Sequence, residues 1–249
     1  MTSPSADQVR FVTEGGVRVA AVTAETMREI DRLAVYETGP NLFQMMENAG
    51  RSLAMHALDV LGARWRHSLV VVLAGGGGNG GGGICAARHL ANRDVDVILV
   101  LSDPDRLGEV PAAQRKIFAS TRGREGATST TPPDLILDAL IGYGLREAPR
   151  GRTAELIAWA NESEAPVVSL DVPSGMDATT GNRPGISVQP NATLTLALPK
   201  TGLVVAPGRG DLWLADLGIP HATFERAGVA YVDPFGPHYR VRLTSARFV

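Results

Sequence analysis

The chain has 249 residues, of which 44% are hydrophobic and 20% charged, a balance typical of a globular protein that can bury its own core. A formal net charge of -2 gives no electrostatic reason to expect nucleic acid or an anionic membrane as a partner. The single cysteine, Cys85, excludes an internal disulfide framework and a cysteine-cluster metal site. No secretory signal and no apolar run of roughly 20 residues is present, so we expect a soluble, cytoplasmic protein.

The first third of the chain predicts a lead-in segment and two helices. Residues 1–22 form the lead-in, which we expect to be irregular apart from a short strand near its end. Thr23 can cap the first helix, whose apolar residues recur at helical spacing until Gly39 and the following proline end it. Asn41 can cap a second helix that continues to about Leu61.

From residue 68 onward, short apolar runs alternate with helical stretches. The runs are continuous, as expected of strands buried on both faces of a parallel sheet. The predicted helices are Ile84–Ala91, 109–121 and 152–163. The predicted strands are Ser68–Ala74, Asp96–Leu101, Asp134–Leu140, Pro166–Asp171 and Ala192–Leu198, with edge strands at Asp211–Leu217 and Tyr239–Leu243. This alternation indicates an α/β fold with a mostly parallel sheet, and the lack of a linker predicts one domain over residues 1–249.

A glycine-rich turn, Gly75–Gly83, follows the first buried strand. Ligands of such folds bind beyond the carboxyl ends of the strands. Glycines let backbone N–H groups approach an anion closely, and the next helix directs its positive end to the same place. Asn79 is the only residue with a side chain in this run. The turn therefore predicts binding of a phosphate-bearing nucleotide, and the alternative is a flexible low-complexity loop.

Two later strand ends carry carboxylates. Asp138 ends a buried strand, where it either belongs to a site or accepts hydrogen bonds from nearby backbone. Asp171 precedes a Pro-Ser-Gly turn and is either a general acid or base or part of that turn. Together with Asn79 and Ser174 they offer hard oxygen ligands. If they converge, they could hold a hard cation beside an anionic ligand.

Five segments occur in an order that resembles the YjeF N-terminal domain family. They are MMENAG (Met45–Gly50), GGGGNGGGG (Gly75–Gly83) with ICAARHL after it, DALIGYGL (Asp138–Leu145), LDVPSGMDATTG (Leu170–Gly181) and ATLTLALPKTGL (Ala192–Leu203). The resemblance covers about residues 20–220. It implies a Rossmann-like three-layer α/β/α sandwich and a homodimer.

The best-known members of that family are NAD(P)H-hydrate epimerases, so the resemblance also implies an activity. They interconvert the R and S forms of hydrated NADH and NADPH, which a dehydratase then repairs. Some members carry the dehydratase at their C-terminus, whereas this chain ends too soon to contain one. A separate NAD(P)H-hydrate dehydratase is therefore the expected functional partner.

The resemblance implies roles for single residues by position. Asn79, Asp138 and Ser174 match potassium ligands, and Asp171 matches the catalytic carboxylate that contacts the substrate. Lys200 matches a recurrent lysine without an assigned role. The implied substrate-binding residues are Gly78, Asn79, Gly80, Gly81, Gly82, Gly142, Tyr143, Gly144, Leu145, Arg146, Glu147, Ala148 and Asp171.

The glycine-rich turn departs from the family sequence GPGNNGGDG. Gly78 stands in place of the first asparagine and Gly82 in place of the aspartate, whereas Asn79 is kept. These changes remove a carboxylate and a possible hydrogen bond near a phosphate. The leading hypothesis is an epimerase with Asp171 as acid or base at the hydroxyl-bearing carbon. The alternative is a diverged paralogue that binds a nucleotide as a scaffold or regulator.

Two further enzyme classes fit the sequence less well. In an NAD(P)-dependent dehydrogenase, Asp103 could bind the ribose hydroxyls. However, two long helices precede the first buried strand, and no His, Tyr-Lys or Cys constellation for hydride chemistry is visible. A serine hydrolase built on Ser174 lacks the G-x-S-x-G elbow. Cys85 is expected to be a buried apolar residue rather than a nucleophile.

Overall fold

The computed structural model describes residues 9–245 and arranges their strands in one ten-stranded sheet. The strands are β1 (Val9–Thr13), β2 (Arg18–Ala20), β3 (Leu69–Ala74), β4 (Asp96–Leu101), β5 (Arg124–Glu125), β6 (Leu135–Ala139), β7 (Val167–Leu170), β8 (Ala192–Leu196), β9 (Asp211–Ala215) and β10 (Arg240–Ser245). The helices are α1 (Ala24–Leu33), α2 (Leu42–Leu61), α3 (Gly78–Ala91), α4 (Glu109–Phe118), α5 (Gly151–Glu162), α6 (Gly202–Val205) and α7 (His221–Arg226). A π-helical turn at Ala34–Thr38 follows α1, and a 3₁₀ turn at Gly62–His67 follows α2. Across residues 9–245, no helix combines the length and the apolar character that crossing a membrane requires.

The sheet has the strand order β2-β1-β10-β9-β8-β7-β6-β3-β4-β5. Every neighbouring pair from β9 to β5 is parallel, whereas β10, β1 and β2 add an antiparallel end. Alternate residues of β3 contribute to two separate apolar clusters. Val70 and Val72 pack in the cluster that contains residues of α2 and α3, while Val71 and Leu73 pack in the one with α5. Both faces of the sheet are therefore covered by helices, which confirms the predicted three-layer α/β/α fold.

The antiparallel end of the sheet differs from the prediction. Residues 9–13 of the expected irregular lead-in form a strand, β2 at Arg18–Ala20 is the short strand expected near its end, and residues 1–8 lie outside the described residues. The expected edge strand near residue 240 is β10, which lies inside the sheet between β9 and β1. The reason is a pairing between the two ends of the chain, in which Phe11 faces Ser245 across the ladder and its side chain is buried.

The glycine-rich segment is mostly helix rather than turn. Only Gly75–Gly77 connect β3 to α3, which begins at Gly78, whereas we predicted a turn to Gly83 and a helix from Ile84. Glycine is required here by close packing. A Cβ atom on Gly80 would lie 1.7 Å from the carbonyl oxygen of Gly75, and one on Gly83 would lie 2.4 Å from the Cβ of Ala139. Tertiary packing thus overrides the low helix propensity of glycine.

We predict that Gly80→Ala destabilises the protein strongly. The added Cβ meets backbone that must shift, so the free energy of unfolding should fall by about 3 kcal/mol, measured by urea denaturation. Gly126→Ala is the matched control, since a Cβ there meets no atom within 4 Å. Equal stability of the two variants would contradict the packing argument.

Candidate active site

A cavity of about 520 Å³ lies at the carboxyl ends of the parallel strands. The chain runs from β3 to β4 on one side and returns to β6 on the other, so the strand order reverses between β3 and β6. Ligands of open α/β sheets bind at such a switch point. The cavity is lined by Met27, Asp31, Leu42, Met45, Met46, Gly77, Gly78, Asn79, Leu140, Ile141, Gly142, Tyr143, Gly144, Asp171, Leu196, Lys200 and Leu217.

Asp171 is the central charged residue of this cavity. It directly follows β7 with a φ of 69°, a left-handed conformation that is strained for any residue with a side chain. Its carboxylate accepts a hydrogen bond from the ammonium of Lys200 and another, of 3.0 Å, from the backbone N–H of Tyr143. Both partners of the ion pair are buried. The carboxylate is therefore held in one orientation at the cavity wall.

Lys200 is the ion-pair partner of Asp171, a pairing that the sequence did not predict. Its ammonium also donates to the carbonyl oxygen of Leu196 at 2.9 Å, and it lies 5.8 Å from the centre of the Tyr143 ring. The side chain is only 1% exposed. Burying two charges costs several kcal/mol per ion before their attraction offsets it, so such a pair is retained where a site needs it.

Asp31 and Tyr143 form a second polar pair in the same cavity. The phenol of Tyr143 donates a hydrogen bond to the Asp31 carboxyl group. Burial raises the pKa of Asp31, and the hydrogen bond from Tyr143 offsets part of this effect. Burial and the neighbouring Asp31 raise the pKa of Tyr143. Asp31 was not among the predicted site residues, although it lies four residues after the buried Met27 on the same face of α1.

Asp138 and Ser174, two of the expected potassium ligands, contact each other outside the cavity lining. Asp138 is fully buried and accepts hydrogen bonds from the Ser174 hydroxyl at 2.5 Å, the Ser174 N–H at 3.0 Å and the Ser169 hydroxyl at 2.7 Å. Burial raises the pKa of Asp138, and these hydrogen bonds oppose the shift. No cationic side chain within residues 9–245 forms an ion pair with it.

Asn79 lies in the first turn of α3 with its side-chain amide unpaired. Both its Oδ1 and its Nδ2 are buried without a hydrogen-bond partner among the described residues. Gly142 lies between this amide and Asp171. A side chain there would be crowded, because its Cβ atom would lie 3.2 Å from Asn79 Oδ1 and 3.1 Å from Asp171 Oδ2. Leaving buried amide atoms unpaired costs about 1–3 kcal/mol. The arrangement is therefore suited to a ligand or ion that supplies the partner.

The implied substrate-binding residues divide into two groups. Gly78, Asn79, Gly142, Tyr143, Gly144 and Asp171 line the cavity. The remaining ones do not line it: Gly80, Gly81 and Gly82 are buried in the packing of α3, and Leu145 to Ala148 continue the loop after β6. A Cβ on Gly82 would lie 2.8 Å from the side chain of Leu170. Of the two departures from the family motif, only Gly78 borders the cavity.

A second cluster of titratable residues lies where α2 packs on α3. Glu47, Cys85 and His89 have side-chain atoms within 4.8 Å of one another. The guanidinium of Arg88 donates to Glu47 at 2.6 Å and to the sulfur of Cys85 at 3.3 Å, so a cation already fills the centre of the group. Burial raises the pKa of the Cys85 thiol to about 12. The buried, protonated thiol agrees with the expectation that Cys85 is not a nucleophile.

The fold and the site together define an α/β protein with a buried carboxylate–lysine pair in a cavity at the switch point of its sheet. The family described as "YjeF-related protein N-terminus" matches residues 42–202. The chain therefore belongs to this family.

Individual relatives extend the match to nearly the whole chain. An NAD(P)H-hydrate epimerase of Dehalogenimonas lykanthroporepellens is 52% identical over 96% of this chain and 98% of its own length. A bifunctional NAD(P)H-hydrate repair enzyme of Salinibacter ruber is 35% identical over 83% of this chain, which spans 42% of that longer protein. The crystal structure of yeast ynu0 has the same fold, with a TM-score of 0.77 at 23% identity over 90% of this chain and 100% of its own.

We predict that Lys200→Met destabilises the protein by about 3–5 kcal/mol, because it leaves the buried Asp171 without its counter-charge. Arg122→Met is the control, since Arg122 pairs with Asp94 at the exposed surface and such pairs contribute about 0–1 kcal/mol. Urea denaturation of both variants measures the difference. A Lys200→Met protein as stable as the parent would show that the ion pair does not hold the site together.

Proposed function

We propose that this protein is an NAD(P)H-hydrate epimerase that interconverts the R and S forms of hydrated NADH and NADPH. The observation that carries the proposal is the Asp171–Lys200 pair, which faces the cavity beside the N-terminus of α3. The Dehalogenimonas relative with this activity in its name supports it, since the match extends over both chains. A diverged scaffold or regulator is not favoured, because the acid–base pair and the cavity are both present.

Epimerisation requires proton transfer to the oxygen atom that leaves and from the water molecule that returns. Adding water to a dihydronicotinamide places the hydroxyl on the carbon bonded to the ring nitrogen, whose lone pair can assist loss of that hydroxyl. Inversion then requires the oxygen to leave protonated from one face and water to return, losing a proton, at the other. Asp171 lies at the cavity wall with its carboxylate oriented by Lys200 and the Tyr143 N–H, as a proton-transferring group requires.

The rest of the nucleotide has a suitable neighbour in α3. The free N–H groups of its first turn, beginning at Gly78, give this end of the helix a positive potential that attracts phosphate. Gly77, Gly78 and Asn79 line the same cavity as Asp171. A pyrophosphate bound there would leave the nicotinamide end free to reach Asp171.

A potassium ion fits the oxygen atoms around Asp138. The carboxylate supplies negative charge in the interior, the Asn79 amide oxygen has no hydrogen-bond partner within residues 9–245, and the Ser174 hydroxyl can direct its proton to the Ile141 carbonyl oxygen 3.2 Å away. Hard cations prefer such oxygen ligands. When bound, potassium would supply positive charge near the phosphates and fix the loops after β6 and β7.

A second repair activity is the expected partner of this epimerase. The Salinibacter relative is a bifunctional repair enzyme more than twice as long as the part that this chain matches. We therefore propose that a separate NAD(P)H-hydrate dehydratase consumes the epimer made here. The homodimeric state and the cytoplasmic location stay predictions from the sequence.

We predict that the protein speeds the recovery of NADH from the R form of hydrated NADH in the presence of a dehydratase specific for the S form. Absorbance at the NADH band follows the reaction, and the dehydratase alone gives the spontaneous rate. Recovery no faster than that rate would overturn the epimerase proposal.

Replacing Asp171 by asparagine should lower the epimerase rate by about 10²–10⁴-fold, the typical contribution of an acid or base, while NADPH binding stays measurable. The amide keeps the size of the side chain and loses the proton-accepting charge. Asp103→Asn serves as the control, because Asp103 lies outside the cavity. Full activity of Asp171→Asn would refute the assigned role.

Potassium binding should raise the melting temperature of the protein, since an ion bound only by the folded state stabilises it. We expect a higher value in potassium chloride than in choline chloride at equal ionic strength, and no such difference in Asn79→Ala. Asn92→Ala, at the C-terminal cap of α3, should keep the response. Identical melting temperatures of the parent in both salts would rule out the proposed ion.

A further inference from the structure

The cavity holds two carboxyl groups joined through one tyrosine. The backbone N–H of Tyr143 donates to Asp171, and its phenol donates to Asp31. All three residues line the cavity. The carboxyl groups of Asp31 and Asp171 therefore lie at opposite ends of the same tyrosine residue, with the space for a ligand beside them.

The two carboxyl groups differ in their direct hydrogen-bond partners. Asp171 is in a direct ion pair with the buried ammonium of Lys200. Asp31 accepts a hydrogen bond from a neutral phenol and forms no ion pair with any cationic side chain within residues 9–245. Burial raises the pKa of Asp31 and so favours its protonated form. Two carboxyl groups whose environments differ in this way are suited to act as a base and an acid in one site.

Inversion of a hydroxyl-bearing carbon needs two such groups. The oxygen leaves from one face of the ring and water returns at the opposite face, so a single carboxylate on one wall cannot serve both events. Asp171 can serve one face. The polar group at the other end of Tyr143 is its phenol, which is hydrogen-bonded to Asp31, and both residues line the cavity.

We propose that Tyr143 is a second catalytic residue of the epimerisation and that Asp31 acts through it. The inference rests on the epimerase function proposed above. In the reacting complex the hydrogen bond between the two groups reverses: the protonated Asp31 carboxyl group donates to the phenol oxygen, and the Tyr143 hydroxyl donates its proton to the departing oxygen.

The step balances in atoms and charge. The C–O bond breaks with its electron pair on oxygen, which leaves as water, while the lone pair of the ring nitrogen forms a C=N bond. Water then adds to this cation from the other face and gives its proton to Asp171. One proton has moved from Asp31 to Asp171, and exchange with solvent or the reverse turnover restores the starting state.

We expect Asp31→Asn and Tyr143→Phe each to lower kcat by about 100-fold or more, with the Kd for NADPH unchanged within about twofold. The asparagine still accepts the hydrogen bond of the phenol, so a purely structural role of Asp31 would leave kcat intact. The double variant should be no slower than the slower single one, because the two groups act as a unit. Glu29→Gln is the control on α1, since Glu29 pairs with Arg32 at the surface.

The pH dependence of kcat gives a second readout. The parent should lose activity as rising pH removes the proton of Asp31, and this alkaline limb should be absent in Asp31→Asn. The charged or titratable groups that act on this pair are Tyr143 itself, Lys200, Asp171 and Arg28, so the same limb should also be absent in Tyr143→Phe.

The outcomes separate the two proposals. An inactive parent enzyme overturns the epimerase function, whereas an active parent with unchanged kcat in both variants overturns only the role of Asp31 and Tyr143. Circular dichroism checks folding. If Asp31→Asn does not fold, Tyr143→Phe decides, because it retains the ring and the backbone N–H that binds Asp171.

Discussion

The buried contact between Lys200 and Asp171 connects most elements of the site. It joins the end of β7 to the segment after β8, and through the Tyr143 N–H it also holds the loop after β6. The backbone next to Lys200 pairs with Val22, whose N–H and carbonyl oxygen bind Pro199 and Thr201. Val22 precedes α1, so the same contact region positions the helix that carries Asp31. One buried ion pair therefore sets the relative positions of both carboxyl groups.

The glycine-rich start of α3 supplies the second constraint. This part of the helix approaches the ends of β3, β6 and β7 so closely that a Cβ added at Gly80, Gly82 or Gly83 would meet Gly75, Leu170 or Ala139, respectively. The close approach brings the positive N-terminus of α3 into the cavity wall beside Asp171. Glycine is thus needed for packing at Gly80, Gly82 and Gly83, whereas Gly78 borders the cavity and a Cβ there would make only an ordinary contact, 3.9 Å from the sulfur of Met46.

The sequence predicted those features that local pattern determines. Strands buried on both faces are continuous apolar runs, and Asp138, Asp171 and Ser174 are candidate site residues because they lie at or after the ends of such runs. The predicted start of α3 was wrong, because glycine has low helix propensity and tertiary packing is what makes the glycine segment helical. Asp31 was missed because it stands between Ile30 and Arg32 in a helix rich in charge. Contacts distant along the chain, such as β1 with β10, have no local signature.

Asp138 and Asp171 show how two buried carboxylates on neighbouring strands acquire different roles. Asp138 does not line the cavity, and hydroxyl and N–H groups of Ser169 and Ser174 bind both its oxygens, so it cannot reach a substrate proton. It can contribute charge, which is what a bound cation requires. Asp171 follows its strand in a strained conformation that turns it to the cavity, where Lys200 balances its charge without enclosing it. Asp138 pairs in register with Ser169, so Asp171 lies further along the strand direction, and this offset separates a carboxylate enclosed in the sheet from one at the cavity wall.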